Sequence, residues 1–188
     1  MTEIILFGDS IFNGYRAGHD TDLVTSSLQT KLGAVFAIKN VSLSGATTAD
    51  GLKRVNLIDS AADIIVVEFG TNDMATWGIP SNQYTDNLTK IVTQIGPNKV
   101  IIVGPLSQDP YNKNIMQCYD EQKSAHYQQI AQIIANKYHI PFINMRDAFS
   151  QLSNISTYFQ EDGLHLSDQG NELLTNLVTT AVKEKAAK

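Results

Sequence analysis

Five short apolar runs, at residues 4–7, 35–41, 64–69, 100–103 and 141–144, constrain this chain more than any other feature. Several are unbroken stretches of Val and Ile, the pattern of strands buried on both faces of a parallel sheet rather than the alternation of a half-exposed strand. Between them lie segments with helical spacing. In the clearest, Tyr84, Leu88, Ile91, Val92 and Ile95 share one face, Ser81 stands where a cap is needed, and Gly96-Pro97 ends the pattern. Shorter helices are expected over 23–32, stopped by Gly33, and over 52–58. A further one is expected over 125–138, with Ile130, Ile133 and Ile134 on one face. The last follows Ser167, carries Leu173, Leu174, Leu177, Val178, Ala181 and Val182 as an apolar stripe, and ends in the Lys-rich stretch 183–188. Strands alternating with helices predict a three-layer α/β/α domain of the flavodoxin-like type, with a five-stranded parallel sheet.

Composition narrows the classes. At 188 residues and 43% hydrophobic, the chain can bury roughly 70% of its unfolded surface in one core, so a single domain over 1–188 is expected. The lone Cys118 excludes an intramolecular disulfide, a thiolate zinc cluster and CxxC redox chemistry. Fourteen Lys and Arg against 19 Asp and Glu, without a basic run, leave no nucleic-acid footprint. No apolar stretch approaches the roughly 20 residues of a membrane helix. Met1-Thr2-Glu3-Ile4-Ile5-Leu6-Phe7 lacks the basic segment and core of a signal peptide, so a cytoplasmic location is expected, although a removed leader would leave no trace.

Ligands of open α/β sheets sit outside the carboxyl ends of the strands. Here three successive strand ends carry small polar residues: Gly8-Asp9-Ser10-Ile11-Phe12-Asn13-Gly14, Ser42-Leu43-Ser44-Gly45-Ala46-Thr47 and Gly70-Thr71-Asn72-Asp73. Taken singly, Gly8-Asp9-Ser10 is equally compatible with a helix cap, and the other two read more readily as turns. Asp162-Gly163-Leu164-His165, just before the final helix, changes the balance. A carboxylate three residues before an imidazole can hold the ring in the tautomer that a general base needs. With an exposed serine at another strand end, the three roles of a nucleophilic triad are present. For strand order 2-1-3-4-5, the backbone N–H groups of Ser10 and Gly45 and the Asn72 amide fall on adjacent strand ends, where they can face a developing oxyanion.

These four blocks, in this order and at comparable spacing, resemble the GDSL or SGNH hydrolases over essentially the whole chain; Ile11 stands where Leu is usual. The resemblance implies Ser10 as nucleophile, His165 as general base and then acid, Asp162 as its orienting partner, and Ser10, Gly45 and Asn72 as the oxyanion hole. It implies an esterase of the small bacterial lipolytic type that needs neither metal nor cofactor, and a small-molecule ester as its partner. Asp9 is expected to be structural. Acyl transfer to an alcohol, or removal of acetyl groups from carbohydrate, would use the same triad; a non-catalytic binding module is disfavoured by the intact Ser10, Asp162 and His165.

Substrate contacts are expected from residues 74–80, through Met74, Trp77 or Ile79, and from Leu106 and Leu164. Trp77 is equally suited to anchoring its loop. The absence of large insertions points to an open cleft for short acyl groups. Other motifs fail: Phe12 breaks a G-x-S-x-G elbow, and no phosphate-cradling glycine loop or H-E-x-x-H occurs. His19-Asp20 with Asp22 reads as an exposed polar loop rather than a metal site, and His126 and His139 read as surface residues.

Overall fold

The computed structural model describes residues 1–187; Lys188, the end of the Lys-rich stretch, lies outside them. Its strands are β1 (Thr2–Phe7), β2 (Phe36–Asn40), β3 (Ile64–Glu68), β4 (Val100–Val103) and β5 (Phe142–Ile143). They form one parallel sheet in the order β2-β1-β3-β4-β5, the expected topology. Its helices are α1 (Leu23–Leu32), α2 (Thr48–Arg54), α3 (Ser81–Ile95), α4 (Glu121–Lys137), α5 (Met145–Ser150) and α6 (Asp168–Ala186).

The unbroken apolar runs split between two cores. Ile5, Phe7, Ile65, Val67, Val100 and Ile102 face α3 and α4 on one side, against Tyr84, Leu88, Ile91, Tyr127, Ala131 and Ile134. Ile4, Leu6, Ile64, Val66, Ile101 and Val103 face α1 and α6 on the other, against Val24, Leu28, Leu174, Val178 and Val182. Alternate residues point to opposite faces of a strand, so a strand covered on both sides must be apolar at every position.

Boundaries differ from expectation where side chains or tight turns decide them. Val35 is exposed, and β2 begins only at Phe36, because the turn at Gly33 reaches that residue: Phe36 N–H donates to the Gly33 carbonyl. β5 keeps two residues: Pro141 has no N–H to give the ladder, and Asn144 is already capping α5 by accepting from Asp147 N–H at 3.1 Å. α2 starts four residues early. Asp50 accepts from Thr47 N–H at 3.0 Å and from its hydroxyl at 2.8 Å, and residues 55–57 continue as a 3₁₀ turn. α4 starts at Glu121, where Asp120 accepts from Lys123 N–H at 2.7 Å. α6 follows Ser167 as expected, its hydroxyl accepting from Gly170 N–H at 3.3 Å.

Candidate active site

β1 ends at the switch point of the sheet, where its neighbours on either side run in opposite chain order, and this opens a crevice above the strand ends. Gly8 lets the backbone pass close to β3, since a Cβ there would lie 2.5 Å from the Glu68 carbonyl. Asp9 then turns inward, accepts Ile11 N–H at 2.9 Å and closes a tight turn that lifts Ser10 to the rim. Ser10 is 8% exposed. Tyr15 N–H donates back to the Ser10 carbonyl at 3.1 Å, so the turn is closed from both sides.

The loop before α6 brings an imidazole to the same rim. His165 Nε2 stands 3.0 Å from Ser10 Oγ, and His165 Nδ1 stands 2.7 Å from Asp162 Oδ2. With Nδ1–H donating to the carboxylate, Nε2 is left to accept the serine proton. Asp162 Oδ1 also accepts the N–H groups of Leu164 and His165, each at 2.9 Å. Partial burial pushes the Asp162 carboxyl up. The bonds from the His165 ring and the two N–H groups outweigh this and hold it below the usual carboxylate range. Gln160 staples the loop: its N–H donates to the His165 carbonyl at 2.8 Å and its amide to the carbonyls of Tyr15 and Leu166 at 2.7 and 3.0 Å. The segment after β4 braces it from below, with Asp109 N–H donating to the Gly163 carbonyl at 2.8 Å.

Gly45 is exposed and has φ +77°, a left-handed conformation that favours glycine. Its neighbour Ser44 donates to Asp20 Oδ1 at 2.5 Å, and Asn13 Nδ2 donates to Asp20 Oδ2 and to Ser44 Oγ at 3.1 Å each. Asn40 ties the same group to β2 by donating to Asn13 Oδ1 at 3.2 Å. Asn72 lies beside the turn that carries Ser10, its amide donating to Asp9 Oδ2 at 2.8 Å and to the Ala46 carbonyl at 3.0 Å. Both amide hydrogens are thus engaged, and donation to an oxyanion would require one of these bonds to be shared.

Beneath the site are three fully buried carboxyl groups, Asp9, Glu68 and Asp73. Burial pushes Asp9 up to about 6 and Asp73 up to about 6. Burial, with the Asp9 charge behind it, pushes Glu68 well above the usual range. Glu68 Oε2 accepts Asp9 N–H at 3.3 Å while Oε1 has no partner among the described residues. Asp73 accepts Thr48 N–H and its hydroxyl, fixing the start of α2.

The expected substrate-side residues fall into two groups. Met74 and Leu106 are 1% and 0% exposed and belong to the cores; Leu106 N–H donates to Thr71 Oγ1, which draws that residue inward. Neither offers surface to a ligand in this structure. Trp77 is 60% exposed, with its ring edge-on to Tyr119 at 6.0 Å, and Ile79 and Leu164 are half-buried. His126 and His139 are exposed, as expected, and so is His19, whose ring lies 3.2 Å from the Ala17 carbonyl. An open cleft of about 580 Å³ beside the Asp162–His165 dyad is lined by residues 15–18 and 160–162 with Ser167 and Asp168. Reading the sequence alone missed Tyr15, Gln160 and Asp20. Gln160 carried a signal, two residues before Asp162; Asp20 carried none, since its partners lie up to 24 residues away in the chain.

A three-layer α/β/α sheet with serine, imidazole and carboxylate in hydrogen-bond series at its carboxyl edge has the form of a nucleophilic hydrolase. The sequence profile of the GDSL-like Lipase/Acylhydrolase family matches residues 6–173. The chain belongs to that family and is a serine ester hydrolase of the GDSL type. It is similar to a crystallised lipase/acylhydrolase from Enterococcus faecalis, with 30% identity, TM-score 0.91, and 98% and 97% of the two chains covered. It is 24% identical to a GDSL esterase/lipase from Arabidopsis thaliana, over 97% of this chain and 86% of the relative. The fold also matches that of Est24, a carbohydrate acetylesterase from Sinorhizobium meliloti, at 18% identity, TM-score 0.79, and 98% and 99% coverage.

Proposed function

We propose that the chain, acting as one domain, hydrolyses small carboxylic esters through an acyl-serine intermediate. His165 takes the Ser10 proton as Oγ attacks the ester carbonyl, and returns it to the leaving alcohol. Water activated by His165 then releases the acid. Asp162 keeps Nδ1 protonated and the ring aligned. The N–H groups of Ser10 and Gly45, with the Asn72 amide, receive the oxyanion. The observation that carries this reading is the unbroken series Asp162–His165–Ser10, at 2.7 and 3.0 Å. No metal or organic cofactor has a task in these steps. Ser10→Ala should stop turnover of short p-nitrophenyl esters while leaving the thermal midpoint within a few degrees of wild type. A folded Ser10→Ala protein that still hydrolyses them would overturn the reading.

A second reading of the alcohol half is favoured by the cleft beside the dyad. Beside Ala17 and Gly18, its side chains from Tyr15, Arg16, Gln160, Glu161, Ser167 and Asp168 offer donors and acceptors that a hydroxyl-rich group could use. Acetate release from an acetylated sugar at a higher kcat/KM than from p-nitrophenyl acetate would select it; no release would leave the simple ester as substrate.

A further inference from the structure

The carboxylate that aligns His165 is half exposed, so water competes for the bond that should fix the imidazole. A second element covers the ring. Tyr15 lies with its ring centroid 4.6 Å from that of His165 and its plane tilted by 37°. At that separation the electron-rich face of a phenol attracts an imidazolium and packs against a neutral imidazole. The Tyr15 backbone, from which the ring projects, is fixed on both sides. Its N–H donates to the carbonyl of Ser10 at 3.1 Å, and its carbonyl accepts from Gln160, the residue that also holds the His165 carbonyl. One residue is therefore tied to the nucleophile turn, to the dyad loop and to the face of the base.

We propose that Tyr15 is a positioning residue for the general base: its ring holds the His165 imidazole in line with Ser10 and stabilises the imidazolium that forms as the serine proton is taken. The inference rests on the catalytic reading above for its effect on rate, but not for its effect on the imidazole itself. The charged groups around the ring are few. Asp162 lies on its own loop and Asp9 on the turn beneath. Arg16, next to Tyr15, is paired with Asp168 at 2.7 Å on the first turn of α6, and Glu161 lies on the rim of the adjoining cleft.

The test compares wild type with Tyr15→Phe, Tyr15→Leu and a variant carrying pentafluorophenylalanine at position 15, which keeps the ring's shape but reverses the charge distribution of its face. The NMR signal of the proton between His165 Nδ1 and Asp162 reads the alignment of the imidazole directly and needs no turnover; kcat and KM for a short ester are read alongside. Tyr15→Phe should keep that signal in place and kcat within about twofold. Tyr15→Leu should shift or broaden the signal and lower kcat by about three- to tenfold with KM little changed. The fluorinated ring should lower kcat as Leu does, which keeps the test decisive if Leu disturbs folding. A signal and a kcat unmoved by both Leu and the fluorinated ring would overturn the proposal, as would a Phe variant that behaves like Leu. If wild type turns over no ester but Tyr15→Leu still moves the signal, the catalytic reading fails and the placement of Tyr15 stands.

Discussion

Asp162 accepts three hydrogen bonds at once, from the ring and backbone of His165 and from Leu164 N–H, and this is how a half-exposed carboxylate can hold the imidazole in place. Asp162→Asn keeps the size but places an amide beside Nδ1, so the neutral ring presents its proton to Ser10 instead of a lone pair. We expect kcat to fall by about 10³-fold or more with KM nearly unchanged; a loss below tenfold would mean that Asp162 does not set the tautomer. The D-x-x-H spacing was legible because two residues three apart on one turn reach each other without long-range help. The burial of Leu106 was not, because it depends on a bond to Thr71, 35 residues away, that no local pattern announces.

The helices were legible where an apolar stripe and a stop signal agreed, as in α3 and α6. Their starts were not, where a capping side chain decides them, as with Asp120 for α4 and the Thr47–Asp50 pair for α2. α5 escaped notice because its buried pair, Met145 and Phe149, is too short a pattern to separate from a loop. The loop at 15–20 gains its meaning only in three dimensions. Asp20, unremarkable in sequence, anchors Ser44 and Asn13 and so holds the strand-end loop that bears Gly45. Asp20→Ala should lower kcat by about tenfold, through a looser oxyanion loop, with the thermal midpoint within a few degrees of wild type, since the group is exposed. An unchanged kcat would show that the loop needs no such anchor.

Across the molecule, two apolar cores meet at a sheet whose carboxyl edge stands over three buried acids. The sheet order was legible from the runs of Val and Ile together with the resemblance, but this acid cluster was not, because Glu68 reads only as the end of a strand. Asp9 and Asp73 are raised from 3.8 to about 6, and Glu68 is raised well above 4.5, so the folded state binds more protons than the unfolded chain above those ordinary values. Stability therefore falls as pH rises through that window. The depressed carboxyls of Asp162 and Asp50 act in the opposite sense, but only below about their ordinary 3.8. Glu68→Gln keeps an acceptor for Asp9 N–H and supplies a donor to its carboxylate without a proton to lose. The thermal midpoint of wild type should drop more between pH 5 and pH 8 than that of Glu68→Gln; equal slopes would remove Glu68 from this account. Whether Ser10 is an activated nucleophile is read by intact mass after exposure to a fluorophosphonate. One adduct per chain is expected, mapped to the peptide bearing Ser10 and absent from Ser10→Ala; an unlabelled folded wild type, or an adduct that persists in the variant, would show that Ser10 is not activated.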